Sequence, residues 1–177
     1  HAKIPLPSLE KQRRIASELD LICHAVDVKK EQLAQLDLIV NARFFEMFGD
    51  PFTNEKKWSL CPLRDATTRA NNGMARRGVD DGGSIVLRLV ELQDGYIDYT
   101  HPNRISLSDA EKSRYILDDG DLLFARVNGN PSYVGRCAVF ESIDEPVFHN
   151  DHIIRVHLDE SEYNPDFVCT MLNGSYG

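Results

Sequence analysis

The sequence predicts an α+β fold in which a long N-terminal coiled-coil helix precedes a globular domain with a curled, mostly antiparallel sheet and short helices. Two observations predict it. Residues 8–48 contain neither glycine nor proline and carry a sustained helical pattern of apolar residues. Residues 50–177 instead carry short apolar runs separated by Gly, Asn, Asp and Pro, which is typical of strands and turns. The 177 residues suffice for one domain and an appendage, not for two full domains.

The helix is expected to begin after Ser8 and to end at Gly49. The prolines at positions 5 and 7 require extended backbone, and Ser8 then stands where a helix N-cap belongs. Gly49 occupies a position at which helices commonly end. At 1.5 Å per residue such a helix measures roughly 60 Å.

One helix face carries a seam of residues spaced alternately four and three apart, which is the period of a left-handed coiled coil. The predicted coiled-coil interface consists of Ile15, Leu19, Ile22, Val26, Leu33, Leu36 and Val40. Lys29 and Arg43 interrupt this seam, as polar residues that set register or partner choice do. We therefore expect a second helix against this face, with a homodimer through the helix in isolation. The alternative is a core helix of a larger bundle.

The remaining elements follow from apolar runs and turn residues. Strands are predicted over 85–90, 122–127, 134–140 and 152–158, a hairpin turn at 94–95, and short helices over 108–115 and 165–172.

Charge and composition limit the class of function. The net charge is −8, and residues 50–177 carry all of the excess, since residues 1–49 hold seven basic and seven acidic side chains. A nucleic-acid contact would therefore have to be a local basic patch on an acidic body. The four cysteines are widely spaced and no apolar stretch reaches the length of a membrane span, which predicts a cytoplasmic protein.

No catalytic or metal-binding pattern is present, and the sequence predicts a protein that is not an enzyme. It lacks a P-loop, a nucleophile elbow and a glycine-rich cofactor loop between strand and helix. His149 and His157 share one strand face but lie about 27 Å apart at 3.4 Å per residue, too far to share a metal ion. His152 is interpreted as a hydrogen-bonded histidine near the core face.

Two polar loops carry the residue types that read nucleic-acid edges. Arginine can bind guanine, asparagine can bind adenine, and hydroxyl groups commonly hold phosphates, although any polar loop could have this composition. Base contacts are predicted for Arg76, Arg77, Arg126, Asn128 and Asn130, and phosphate contacts for Ser132, Tyr133 and Arg136.

Four segments together resemble the specificity (S) subunits of type I restriction–modification systems. Residues 4–15 are similar to the I-P-L-P-x-L-E-x-Q-x-R-I entry into the long helix of that family. Residues 58–65 are similar to its W-x-x-x-x-L-x-D start of a target-recognition domain. Residues 115–126 are similar to its Y-x-L-x-x-G-D-L-L-x-x-R core, and residues 150–153 to its N-x-H-I strand. The segments stand in the family order and sample nearly the whole chain.

The resemblance implies a role in recognising double-stranded DNA. Such subunits carry two target-recognition domains separated by two antiparallel helices, and each domain reads one half of a bipartite site. The helices dock methyltransferase subunits, which carry S-adenosylmethionine, and a motor and nuclease subunit joins for cleavage. By this resemblance, residues 1–7 are the tail of a preceding recognition domain, 8–49 the coiled-coil spacer helix, and 50–177 a recognition domain whose completeness at the C terminus stays open.

Two other interpretations stay open at this point. The chain could be the recognition region of a single-chain restriction–methyltransferase fusion, which a catalytic domain upstream would reveal. It could also be a coiled-coil adaptor with a domain for a ligand other than DNA, in which case the arginines of the two loops would be dispensable.

Overall fold

A computed structural model describes residues 4–127 and 129–174, with the side chain of Ser132 left out. The chain divides into two compact units, the first ending at Lys56 and the second beginning at Lys57. The sequence places this boundary between residues 49 and 50. Each unit is described by itself below.

The first unit is built on helix α1 (Leu9–Phe48), in agreement with the predicted long helix. The Ser8 hydroxyl accepts a hydrogen bond from the Lys11 amide at 3.5 Å, which confirms the N-cap. Gly49 ends the helix with a φ of +87°, a conformation that favours glycine. No helix of the described residues is long and apolar enough to cross a membrane.

A lysine beyond the helix satisfies its last carbonyl groups. The Lys56 ammonium donates to the carbonyl oxygens of Glu46 and Met47 at 2.8 and 2.5 Å. These carbonyls have no partner within the helix and carry the negative end of its dipole, so a cation here stabilises the C terminus.

All of α1 is accessible in the described chain. None of its residues is buried, and the predicted seam is between 43% exposed at Ile15 and 62% at Leu33. Side-chain pairs such as Arg14 with Glu18 at 2.8 Å contribute little at a surface. An amphipathic helix of this length owes most of its stability to packing, so the exposed seam is a surface that a partner helix would stabilise.

Among its described residues, the second unit contains three short helices and seven strands. In chain order these are α2 (Leu63–Ala66), β1 (Thr67–Asn72), β2 (Ser84–Leu87), β3 (Arg104–Ile105), α3 (Asp109–Tyr115), β4 (Leu122–Ala125), β5 (Cys137–Val139), β6 (Val147–His149), β7 (Ile153–Leu158) and α4 (Pro165–Asn173). A single 3₁₀ turn, Pro131–Tyr133, lies between β4 and β5.

The strands form two sheets. The first has the order β1-β7-β4-β5 and is antiparallel throughout, as predicted. The second has the order β3-β2-β6, and its β2 and β6 run parallel, which the sequence analysis did not foresee.

The four-stranded sheet is covered on both faces. Leu123 of β4 packs in a core cluster with Ile85 of β2 and Val147 of β6, whereas its neighbour Leu122 packs in another cluster with Val168 of α4. Because successive side chains of a strand point to opposite faces, this double burial explains why β4 is a continuous apolar run.

Some of the predicted element bounds are wrong at their ends. The strand expected over 85–90 stops at Leu87, because the Arg88 amide and guanidinium turn back onto the carboxylate of Glu91, leaving Val90 exposed. The strand expected over 134–140 shortens to Cys137–Val139. The helix expected over 108–115 is confirmed, with Ser108 and Glu111 forming a full capping box.

A charged network lies inside the four-stranded sheet. The fully buried Asp121 carboxylate accepts hydrogen bonds from His157 Nδ1 and the Asp118 amide, both at 2.8 Å, and lies 3.7 Å from Arg155. Burial raises the pKa of Asp121, and these donors act in the opposite direction. Arg155 also binds the amide oxygen of Asn71 in β1. These groups hold β1, β4 and β7 together.

Candidate functional site

Loops that adjoin three strands of the antiparallel sheet lie close together at one end of those strands. Because β7 runs antiparallel to both neighbours, its start lies beside the ends of β1 and β4, where Ile154 pairs with Asn72 and Ile153 with Ala125. The chain leaves or enters these strands at polar residues. We call the group Arg77, Arg126, Asp151 and His152 the strand-end surface.

Arg77 is held by four contacts. Its Nη1 donates to the carbonyl oxygens of Met74 and Ala75 at 3.5 and 2.8 Å. Its Nη2 lies 2.7 Å from Asp151 Oδ1 and 3.0 Å from His152 Nε2. The side chain is still half exposed, and the guanidinium lowers the pKa of Asp151 against the opposing effect of burial.

His152 and Arg126 meet through the backbone. The Arg126 amide donates to the His152 carbonyl oxygen at 2.8 Å. The side chain of Arg126 is exposed, and that of His152 is 41% exposed. The strand-end surface therefore combines two arginines, one carboxylate and an accessible imidazole.

Arg76 lies beside these residues in sequence but is bound elsewhere. Its guanidinium donates to the Ser106 carbonyl oxygen and lies 3.2 Å from a Glu111 carboxylate oxygen. The Ser108 amide and hydroxyl, with a smaller contribution from Arg76, lower the pKa of Glu111. Arg76 thereby ties the loop after β1 to the start of α3.

The loop between β4 and β5 holds the other predicted contacts. The Arg136 guanidinium stacks on the Tyr133 ring at 4.3 Å, and its Nε lies 2.6 Å from Asp94 Oδ1, leaving the side chain 15% exposed. Asn130 is exposed. Asn128 and the side chain of Ser132 lie outside the described residues. Tyr133 is half exposed and Arg126 lies at the start of this loop, so both are accessible.

Most arginines of the second unit already have an anionic partner. Those that form ion pairs with carboxylates are Arg64, Arg69, Arg76, Arg77, Arg88, Arg104, Arg136 and Arg155. A phosphate would have to compete with these carboxylates. Among the described ion pairs Arg126 has no such partner, which makes it the cation of the strand-end surface most available to an anion.

Sequence reasoning missed the accessibility of His152. It is hydrogen-bonded, as interpreted, but its side chain is 41% exposed, and it lies just before β7, which begins at Ile153. Its amide donates to the Asn150 side chain at 3.0 Å, so the residue belongs to a turn. The Asn-Asp pair before the strand was the signal for that turn.

The structure combines a long helix with a two-sheet domain, and the polar loops of that domain meet at one end of the strands. Over nearly its whole length the chain is similar to type I specificity subunits, as its motifs predict. It is 29% identical to the type I restriction enzyme StySPI specificity subunit of Salmonella potsdam over 98% of this chain, and 26% identical to the EcoKI specificity subunit of Escherichia coli (strain K12) over 93%.

The chain spans 38 to 40% of the length of these relatives. A solved structure of the type I R-M system covers 98% of this chain with a TM-score of 0.53 at 17% identity, and 42% of that chain is covered, which supports the fold. No family model matches.

Proposed function

We propose that the chain recognises DNA sequence as part of a type I restriction–modification specificity subunit. It reads one half of a bipartite site and does not itself catalyse a reaction. The observation that carries this proposal is the similarity to two specificity subunits over 93 and 98% of the chain, spanning both the long helix and the sheet domain.

The strand-end surface and the loop after β4 are the proposed contact with duplex DNA. Arg126 offers an exposed guanidinium outside the ion pairs of the described residues, and Asn130 and Tyr133 follow it on the same loop. Arginine, asparagine and tyrosine are residue types that contact base edges and phosphates. The acidic remainder of the domain keeps this contact local, so binding by the chain alone is weak and sensitive to salt.

The exposed seam of α1 is the proposed coiled-coil interface. It takes a second helix, either from the same polypeptide or from a second copy of this chain. By the same proposal, the helices dock methyltransferase subunits that carry S-adenosylmethionine, a motor and nuclease subunit joins them, and the complex acts in the cytoplasm.

Methylome sequencing tests this function in a host that carries the intact system. Exchanging residues 50–177 for the equivalent domain of a subunit with another specificity is expected to change one half of the methylated site and to leave the other half and the spacing unchanged. The matched control exchanges α1 alone and keeps both half-sites. An unchanged methylated sequence after the domain exchange would overturn the proposal.

A further inference from the structure

The contact between Arg77 and His152 fixes which ring nitrogen can carry a proton. An arginine guanidinium only donates hydrogen bonds, so His152 Nε2, 3.0 Å from Arg77 Nη2, must accept. A neutral imidazole has one donor and one acceptor nitrogen. The proton of neutral His152 therefore resides on Nδ1.

The guanidinium of Arg77 is committed to this arrangement. Nη1 is engaged by the Met74 and Ala75 carbonyl oxygens, and Nη2 by Asp151 and His152. To bind a guanine through both terminal nitrogens, Arg77 would have to give up contacts with a carboxylate and two carbonyl groups. Arg77 is therefore better placed to fix the positions of Asp151 and His152 than to contact a base.

The imidazole, in contrast, has an Nδ1 for which the described residues provide no hydrogen-bond partner. The His152 side chain is 41% exposed, and its backbone is fixed on both sides by the Asn150 side chain and the Arg126 amide. An N–H on a half-exposed side chain with a fixed backbone, beside an arginine outside the described ion pairs, suits an acceptor atom of a nucleic acid, either a phosphate oxygen or a base-edge acceptor.

We propose that His152 donates its Nδ1–H to a hydrogen-bond acceptor of duplex DNA, and that Arg77 is the positioning residue that sets this tautomer. The inference rests on the proposed function, because it names a contact of the same surface. It assigns the direct contact to an imidazole and gives Arg77 an indirect role.

The tautomer can be measured without DNA. Long-range ¹H–¹⁵N spectra of the chain labelled at histidine are expected to show the His152 proton on Nδ1 near neutral pH. Arg77→Ala removes the donor to Nε2 and is expected to shift protonation toward Nε2. A proton on Nε2 in the wild-type chain would overturn the proposal and leave the proposed DNA function intact.

Two amide substitutions test the contributions of the two ring nitrogens separately. His152→Gln places an amide near Nε2, where its oxygen can accept from Arg77, but leaves no donor near Nδ1. His152→Asn places its amide near Nδ1 and can still donate there. With a random-sequence duplex pool as the probe, His152→Gln is expected to weaken binding about tenfold, whereas His152→Asn retains most of the affinity.

The exposed His101 supplies the matched control, since His101→Gln makes the same chemical change elsewhere on the second unit. Wild-type affinity in His152→Gln, or equal losses in both His152 variants, would overturn the contact. Sequencing the bound pool distinguishes the two acceptors: loss of one preferred base indicates a base edge, and a uniform loss indicates a phosphate. If the wild-type chain binds no duplex DNA, the proposed function fails together with this contact.

Discussion

The side chain of Asn173 binds both backbone groups of Cys137. Its Oδ1 accepts from the Cys137 amide at 2.9 Å, and its Nδ2 donates to the Cys137 carbonyl oxygen at 2.6 Å. Cys137 lies in β5, an edge strand that pairs only with β4 in its sheet. The Asn173 amide therefore forms the kind of hydrogen bonds with the Cys137 backbone that a neighbouring strand would form, and it fixes α4 to the sheet.

Asn173→Ala is expected to lower the free energy of unfolding by about 1–3 kcal/mol, because it leaves the buried Cys137 amide without a partner, whereas the Cys137 carbonyl oxygen keeps the Gly95 amide as a donor at 2.9 Å. Urea unfolding measures the loss. Asn173→Asp keeps the acceptor but places a carboxylate oxygen against the Cys137 carbonyl oxygen, so its loss should be at least as large, and Thr170→Ala on the same helix serves as the control. Equal stability of wild type and Asn173→Ala would contradict the bridging role.

Buried His149 is expected to make the fold sensitive to mild acid. It is fully buried, with Nδ1 3.3 Å from the Tyr115 carbonyl oxygen, and burial together with the nearby charge of Arg155 lowers its pKa to about 4. Between the unfolded value of 6.5 and this value the unfolded chain binds a proton that the folded chain does not. The free energy of unfolding thus falls by about 3 kcal/mol as pH drops through that window.

Urea unfolding at a series of pH values measures this slope. His149→Leu should remove most of it in the range of pH about 6.5 to 4.5, whereas His101→Gln should keep it. The carboxylates contribute equally to the slopes of the wild type and the variant, so their contribution cancels when the two slopes are compared. One of them, Asp121, acts with the sign opposite to that of His149, because its pKa is raised. A wild-type slope in His149→Leu would show that His149 is not the group responsible.

Gly73 marks a close approach of two backbones. A Cβ atom at this position would lie 2.3 Å from the carbonyl oxygens of both His149 and Asn150. Gly73→Ala must push the end of β1 away from β6, so we expect a loss of stability of about 2 kcal/mol or more, measured by thermal unfolding. Gly82→Ala meets only an Asp80 side-chain oxygen at 3.7 Å and should be nearly neutral. Similar effects of both would refute the steric explanation.

The parts of the fold that the sequence predicts are those set by local physics. α1 follows from a capping serine, an unbroken helical pattern and a terminal glycine, and β4 follows from its apolar run. β1 was missed because its residues, Thr67–Asn72, are polar and lie at a sheet edge, where only pairing with β7 makes them a strand. The parallel pairing of β2 with β6 joins residues about sixty positions apart, which no local signal encodes.

For the candidate site, residue type predicted the loops but not the roles within them. Arg77, Arg126 and Arg136 look alike in sequence. The structure covers Arg136 with Tyr133 and Asp94, binds Arg77 to Asp151 and leaves Arg126 exposed. The difference between them depends on Asp94 and Asp151, the carboxylate partners of Arg136 and Arg77, which lie far from these arginines in the chain.

The α1 seam is expected to drive self-association of the isolated chain at micromolar concentration. Ile22→Glu combined with Leu36→Glu places charges on the seam and should give a monomer in sedimentation experiments. Leu21→Glu combined with Leu38→Glu alters equally exposed leucines away from the seam and should leave association unchanged. A wild-type monomer at that concentration would contradict self-association through the seam.

Arg126 is expected to carry part of the salt dependence of DNA binding. Because its guanidinium is exposed and outside the described ion pairs, contact with a phosphate would release a counterion without breaking an internal pair. Arg126→Ala should weaken binding and reduce the slope of log K against log salt by about one, measured by fluorescence anisotropy with labelled duplex DNA. Arg64 precedes β1 at the opposite end of the strand, so Arg64→Ala removes an equal charge and should leave the slope unchanged. Equal changes in both variants would mean that net charge, and not the strand-end surface, governs binding.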